Sequence, residues 1–235
     1  MNARFPAPWR PRLAALALAA APTAMAGSPQ PVPDTMAQRM QPCSACHGKE
    51  GRATQEGFFP RIAGKPAGYL YNQLDNFRSG RRAYPTMTYF VEQMSDAYLH
   101  EIADYFAQLD LPYAPPQSQD APVGELARGE ALVRRGDPAR GVPACVACHG
   151  QAMDGGGRPG IPALLGLPRG YLVEQFGAWR TGQRKALAPD CMASVATMLS
   201  SADITAVATW LAAQPVAPRG PALAAPLPLE CGSAR

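Results

Sequence analysis

Cys43-Ser-Ala-Cys46-His47-Gly48 returns 102 residues later as Cys145-Val-Ala-Cys148-His149-Gly150. Two thiols three positions apart on one helical turn can each add to a vinyl group of the same porphyrin while the adjoining imidazole lies against the iron, so C-x-x-C-H marks covalent haem attachment. A zinc ribbon also pairs two C-x-x-C elements, but about 15 to 20 residues apart and with no need for a histidine beside the second cysteine. A thioredoxin-like redox motif needs a βαβ setting, and nothing in this chain sustains period-two alternation. The chain is therefore expected to carry two covalent haem c groups. Cys43 and Cys46 would hold the first and Cys145 and Cys148 the second, with His47 and His149 as proximal iron ligands.

The repeat extends well beyond the motifs. At the same offset Pro60 meets Pro162, Gly64 meets Gly166, Tyr69-Leu70 meets Tyr171-Leu172, Gln73 meets Gln175 and Gly80 meets Gly182. Three inserted residues then raise the offset to 105, at which Met87 meets Met192, Ser95 meets Ser200 and Tyr105 meets Trp210. One domain of about 90 residues has been duplicated. Its boundaries are expected at 27–110 and 124–214, joined by a proline-rich linker at 111–123 and followed by a proline-rich tail at 215–235.

Each copy reads as helical. Short helices at 34–40 and 124–135 lead into the haem motifs. Tyr69, Leu70, Leu74 and Phe77 recur with helical period, as do Tyr171, Leu172, Phe176 and Trp179. Ser95 and Ser200 are expected to cap closing helices whose core positions are Leu99, Ile102, Ala103 and Phe106, and Ile204, Val207, Ala208 and Leu211. A domain this small buries little of its own surface, so a covalently held porphyrin would supply much of its core.

The distal ligand follows from counting. The chain has three histidines. Two belong to the motifs, and the third, His100, meets Thr205 in the other copy, which excludes His/His ligation at both irons. Met87 and Met192 alone among the methionines match in register, each eight residues before a capping serine, and they are the expected distal ligands. Met94 and Met198 have no methionine counterpart.

The first 26 residues carry Arg4, Arg10 and Arg12, a short apolar run from Leu13 to Ala21 and an Ala24-Met25-Ala26 cleavage site, the pattern of a signal peptide. No later stretch is long and apolar enough to span a membrane, so a soluble periplasmic product is expected. The leader holds three of the 22 basic residues and no acidic one, so the remainder has 19 basic against 18 acidic residues. That balance argues against a nucleic acid or an anionic membrane as partner. Cys191 and Cys231 are left over after haem attachment. An exported chain is expected to join them, closing a loop of some forty residues and constraining the unfolded state by roughly 3 to 4 kcal/mol. The competing reading makes Cys191, beside Met192, an alternative thiolate ligand.

These motifs in this order resemble the di-haem cytochromes c4: C-x-x-C-H-G, a proline and glycine, Tyr-Leu-x-x-Gln, a methionine eight before a serine, and a helix ending in Tyr or Trp, all twice over. The resemblance covers about 34–214. It implies an all-α fold of two tandem class I cytochrome c domains about a pseudo-twofold axis, His/Met ligation, and electron transfer rather than catalysis. The implied partners are respiratory proteins such as a cytochrome bc1-type complex and a terminal oxidase. In such folds the carbonyls at Pro60 and Pro162 take the histidine Nδ1 proton. The family often has Gly-Gln where this chain has Gly64-Lys65 and Gly166-Leu167. Arg82 and Arg184 are expected either to meet haem propionates or to lie solvated at the surface. The competing functions are a subunit of a periplasmic dehydrogenase and a di-haem enzyme of peroxidase or thiosulfate-oxidising type.

Overall fold

Helices supply the regular structure of the computed structural model, which describes residues 31–54, 58–117, 120–218 and 220–234. The expected leader at 1–26 lies outside these residues. The chain divides at Pro33, and Asp34–Arg235 forms the unit described here.

The first copy contains α1 (Met36–Arg39), α2 (Gln41–His47), α3 (Ala67–Arg78), α4 (Pro85–Val91) and α5 (Asp96–Ala107). The second contains α6 (Val123–Arg135), α7 (Val146–His149), α8 (Arg169–Arg180), α9 (Cys191–Met198) and α10 (Ser201–Ala212). In each copy the helix of the Tyr-Leu stripe packs against the closing helix and against the short methionine-bearing helix, as α3 does with α5 and α4, and α8 with α10 and α9. The expected core positions are buried, from Leu99 and Phe106 in α5 to Val207 and Leu211 in α10. No single described helix is long and apolar enough to cross a membrane.

The caps fall where the side-chain chemistry demands. Ser95 Oγ accepts from the Tyr98 amide at 3.2 Å. Ser200 and Asp203 form a reciprocal capping box. Asp203 does more than cap, because its carboxylate also accepts from Arg128 Nε of α6 and from Arg140 Nη2, both at 2.9 Å. The same two arginines reach Asp137. This network ties α6 and the turn after it onto α10. The two helices approach closely at Gly129, where a Cβ would run into the Ala206 carbonyl.

The first copy differs in lacking a long leading helix, since α1 has a single turn. The linker is not a free joint. Arg61 donates to the carbonyls of Leu111 and Pro112, and its guanidinium lies 3.9 Å from the centre of the Tyr113 ring. Farther on, the Gln117 amide donates to Ala212 O of α10 at 3.0 Å.

The partners around Asp203 hold its carboxyl well below the usual carboxylate range against the opposing effect of burial. A group depressed in the folded state contributes stability above its unfolded pKa and loses it as pH falls. Asp203→Ala should therefore cost about 2 to 3 kcal/mol in denaturant unfolding at pH 7, through loss of the cap and the charge-assisted bonds. The difference from wild type should shrink as pH falls below about 4.

Candidate functional site

Both haem motifs sit on helices that end at a glycine. α2 stops at Gly48 and α7 at Gly150, with φ of 75° and 83°. The conformation is one that L side chains rarely adopt, and a Cβ on Gly48 would strike the Ala53 carbonyl. Released from the helix, the chain turns back so that the Ala53 amide donates to His47 O, as Gly155 does to His149 O. That turn brings Pro60 and Pro162 to the two rings. His47 Nδ1 lies 2.9 Å from Pro60 O, and His149 Nδ1 lies 2.9 Å from Pro162 O. A carbonyl can only accept, so Nδ1 carries the proton and Nε2 keeps its lone pair. Burial pushes both imidazoles below their usual pKa, favouring the neutral form an iron ligand needs.

Cys43, Cys46, His47, Cys145, Cys148 and His149 all border one continuous, largely apolar cavity that runs through both copies. Burial raises the Cys43 and Cys148 thiols and takes Cys145 up to about 12. Activated redox thiols are shifted the other way. A thiol pair, an imidazole with its inner nitrogen already committed, and apolar walls fit a covalently held porphyrin in each copy. Met192 is the one methionine of the second copy bordering the cavity among the described residues; in the first copy Met87 does so together with Met40 and Met94. Met87 and Met192 are thus register-matched methionines that both border the cavity. His100 is exposed on α5, stacked on Tyr71 with ring centroids 3.8 Å apart.

Arg82 and Arg184, expected either to meet propionates or to lie solvated, meet each other across the junction between the copies. Their backbones form an antiparallel bridge, with Ala83 N donating to Gln183 O and Lys185 N to Arg81 O, both at 2.7 Å. Arg82 donates to Gln73 and, across the junction, to Gln175 and Tyr171. Arg184 donates to Gln175 and, in return, to Gln73 and Tyr69. Each guanidinium also lies over a ring of its own copy, Arg82 over Phe77 and Arg184 over Trp179. Arg184 is buried, so the solvated alternative fails for it. Neither arginine has an ion-pair partner among the described residues, although both border the cavity. Buried Arg184 and half-buried Arg82 are like charges side by side without a carboxylate, a setting that favours an anion.

Sequence reasoning missed this network. The residues were visible as a polar pair, Gln73 and Gln175, kept in register inside an apolar stripe, but their purpose lies across an interface that no helical periodicity reports. Lys65 was likewise seen only as a departure from Gly-Gln. It is buried and its Nζ donates to Ala163 O of the other copy at 2.9 Å, next to the carbonyl that holds His149.

No protein-family model matches the chain. Its sequence is 37% identical over 179 residues to a thiosulfate dehydrogenase electron acceptor from Thiomonas intermedia, covering 75% of this chain and 80% of that protein. It is also 34% identical over 172 residues to cytochrome c4 of Pseudomonas aeruginosa, covering 72% of this chain and 82% of the relative. The chain belongs to the cytochrome c4 family. The crystal structure of reduced recombinant cytochrome c4 from Pseudomonas stutzeri superposes with a TM-score of 0.65 at 29% identity, over 75% of this chain and 95% of that one. Like other members of the family, the chain is a di-haem electron-transfer protein rather than an enzyme, with two covalent haem c groups. The all-α, two-domain expectation holds.

Burial brings Lys65 down to about 7, with the nearby Arg61 charge acting in the same direction. A lysine depressed in the folded state opposes folding below its folded pKa, and stability rises as pH climbs from that value towards the unfolded one. Unfolding free energy of the holoprotein should rise between about pH 7 and 10, and Lys65→Met should flatten that rise.

Proposed function

We propose that the chain is a soluble periplasmic carrier that takes electrons from a thiosulfate-oxidising enzyme and passes them to a respiratory acceptor. His47 with Met87 and His149 with Met192 would be the axial ligands. The single observation that carries the ligand assignment is the cavity bordered by both motifs, at which Met192 is the second copy's sole described methionine and Met87 its register mate. Donor choice rests on the relative named a thiosulfate dehydrogenase electron acceptor. Export rests on the residues of the leader.

When bound, each haem supplies a one-electron iron couple whose potential methionine ligation raises. The chain's own groups do the rest. Pro60 and Pro162 hold each imidazole in one tautomer and one orientation, so that no proton moves at Nδ1 when charge changes at the metal. The apolar walls keep water away from the metal. Arg82 and Arg184 would take propionate carboxylates at the junction, which would give buried Arg184 and half-buried Arg82 the anions that neither finds among the described residues.

Mixed with thiosulfate and a catalytic amount of thiosulfate dehydrogenase, the oxidised protein should accept two electrons per chain. Absence of reduction would remove the donor assignment. The weak near-infrared band of methionine-to-iron charge transfer should fall by about half in Met87→Ala and in Met192→Ala. The same loss in Met94→Ala would show that the register is wrong. A complex with a large dehydrogenase that survives purification would favour a subunit over a carrier.

A further inference from the structure

After α10 the chain does not trail away. It runs back across the second copy, held at four places: Gly220 N donates to Asp154 Oδ2 at 2.8 Å, Leu223 N to Gly156 O at 2.9 Å, Arg158 Nη2 to Ala225 O at 2.6 Å, and Gly232 N to Pro189 O at 2.9 Å. Cys231 is disulfide-bonded to Cys191, at the start of α9 and beside Met192. The last turn, Gly232–Ala234, also reaches the first copy, where Asn72 Nδ2 donates to Ser233 O at 3.0 Å. Leu229, Cys231, Ser233 and Ala234 border the same cavity as Cys148, His149 and Met192.

The internal repeat shows what this segment replaces. In the first copy the cavity is bordered by Phe58 and Tyr84, whose rings lie 6.4 Å apart, with Phe58 packed on Phe59 beside His47. Their counterparts in the second copy are Gly160 and Pro189. Two aromatic side chains are thus missing, and the returning backbone lies in their place. A Cβ on Gly160 would collide with the Ser233 carbonyl, and one on Gly232 would collide with the carbonyls of Leu187 and Ala188. Gly156 and Gly157 face Leu223 and Ala222 in the same way, where the first copy has Thr54 and Gln55. The second copy has glycines along the path that the segment follows, where the first copy has side chains.

We infer that residues 229–234, fixed by the Cys191–Cys231 bridge, form the outer wall of the second haem site, taking the role that Phe58 and Tyr84 play in the first. The inference rests on the assignment of the second haem to Cys145, Cys148 and His149. A wall made of a separate, covalently pinned strap would keep water from the second haem, and its pinning point, Cys191, adjoins Met192. Without the strap, water stabilises the more highly charged ferric state and lowers the potential of that haem alone.

The test uses the holoprotein and a chain shortened to end at Pro228. Intact mass is read first, and two haems in both proteins leave the attachment assignment standing whatever the strap does. Redox titration should then show one haem at its original potential and the other lower. Imidazole should bind about tenfold more tightly to one haem per chain. The affected haem should be the one whose signals change in Met192→His. Gly160→Phe with Pro189→Tyr, added to the shortened chain, should rebuild an aromatic wall and reverse the imidazole binding. Should the shortened chain fail to load, Cys191→Ser with Cys231→Ser in the full chain keeps every other strap residue and should give the same one-haem loss of protection. Unchanged potentials and unchanged imidazole affinity in a fully loaded shortened chain, or in the double serine protein, would overturn the inference.

Discussion

An imidazole whose inner nitrogen is already bonded is the constraint around which each copy is arranged. For His47 to give its Nδ1 proton to Pro60, the chain has to leave α2 abruptly, return within a few residues and stop thirteen positions later at a carbonyl of fixed direction. Gly48 permits the departure, and the bond from Ala53 N to His47 O closes the return. The second copy repeats the arrangement through Gly150, Gly155 and Pro162. Helices α3 and α5, and α8 and α10, then need only present apolar faces to the other side of the gap. They do not close it by themselves. Both haem motifs border the apolar cavity, so a covalently attached haem would complete the hydrophobic core of each copy.

The junction between the copies follows a different logic. The core of each copy is apolar, whereas the junction between copies carries two guanidiniums, two amides and two phenols in reciprocal pairs. Burial and the neighbouring Arg82 both push Arg184 below its usual range. A seam of this kind is specific in register, because a shift would leave charged donors unpaired inside protein, and that penalty far exceeds the gain from any single bond.

Much of this was legible from residues alone. The motifs, the 102 and 105 offsets, both serine caps and the buried faces of the closing helices were readable because each is a local pattern with one physical cause. The Pro60 and Pro162 carbonyls were reachable only through the family resemblance. Arg82 and Arg184 stand out in the sequence as a matched pair, but their contact across the junction is not legible there, since a lone arginine in a turn carries no mark of what it will face. Lys65 was invisible as an interface residue for the same reason. The pairing of Cys191 with Cys231 followed from elimination. That the intervening segment would lie over Gly160 could not be read, because the signal was an absence of side chains in one copy, and an absence acquires meaning only once something is seen to fill it.

The reciprocal bonding at the seam carries an evolutionary consequence. Arg82 reaches Gln175 as Arg184 reaches Gln73, and Arg82 reaches Tyr171 as Arg184 reaches Tyr69. This is the grammar of an isologous contact, in which one patch meets an identical patch. A single-domain chain bearing that patch could pair through it with a second copy of itself. Within one chain the halves are free of the obligation to be identical. Lys65 without a lysine at Leu167, and a disulfide in one half only, are changes that a symmetric dimer encoded by one gene could not have acquired separately.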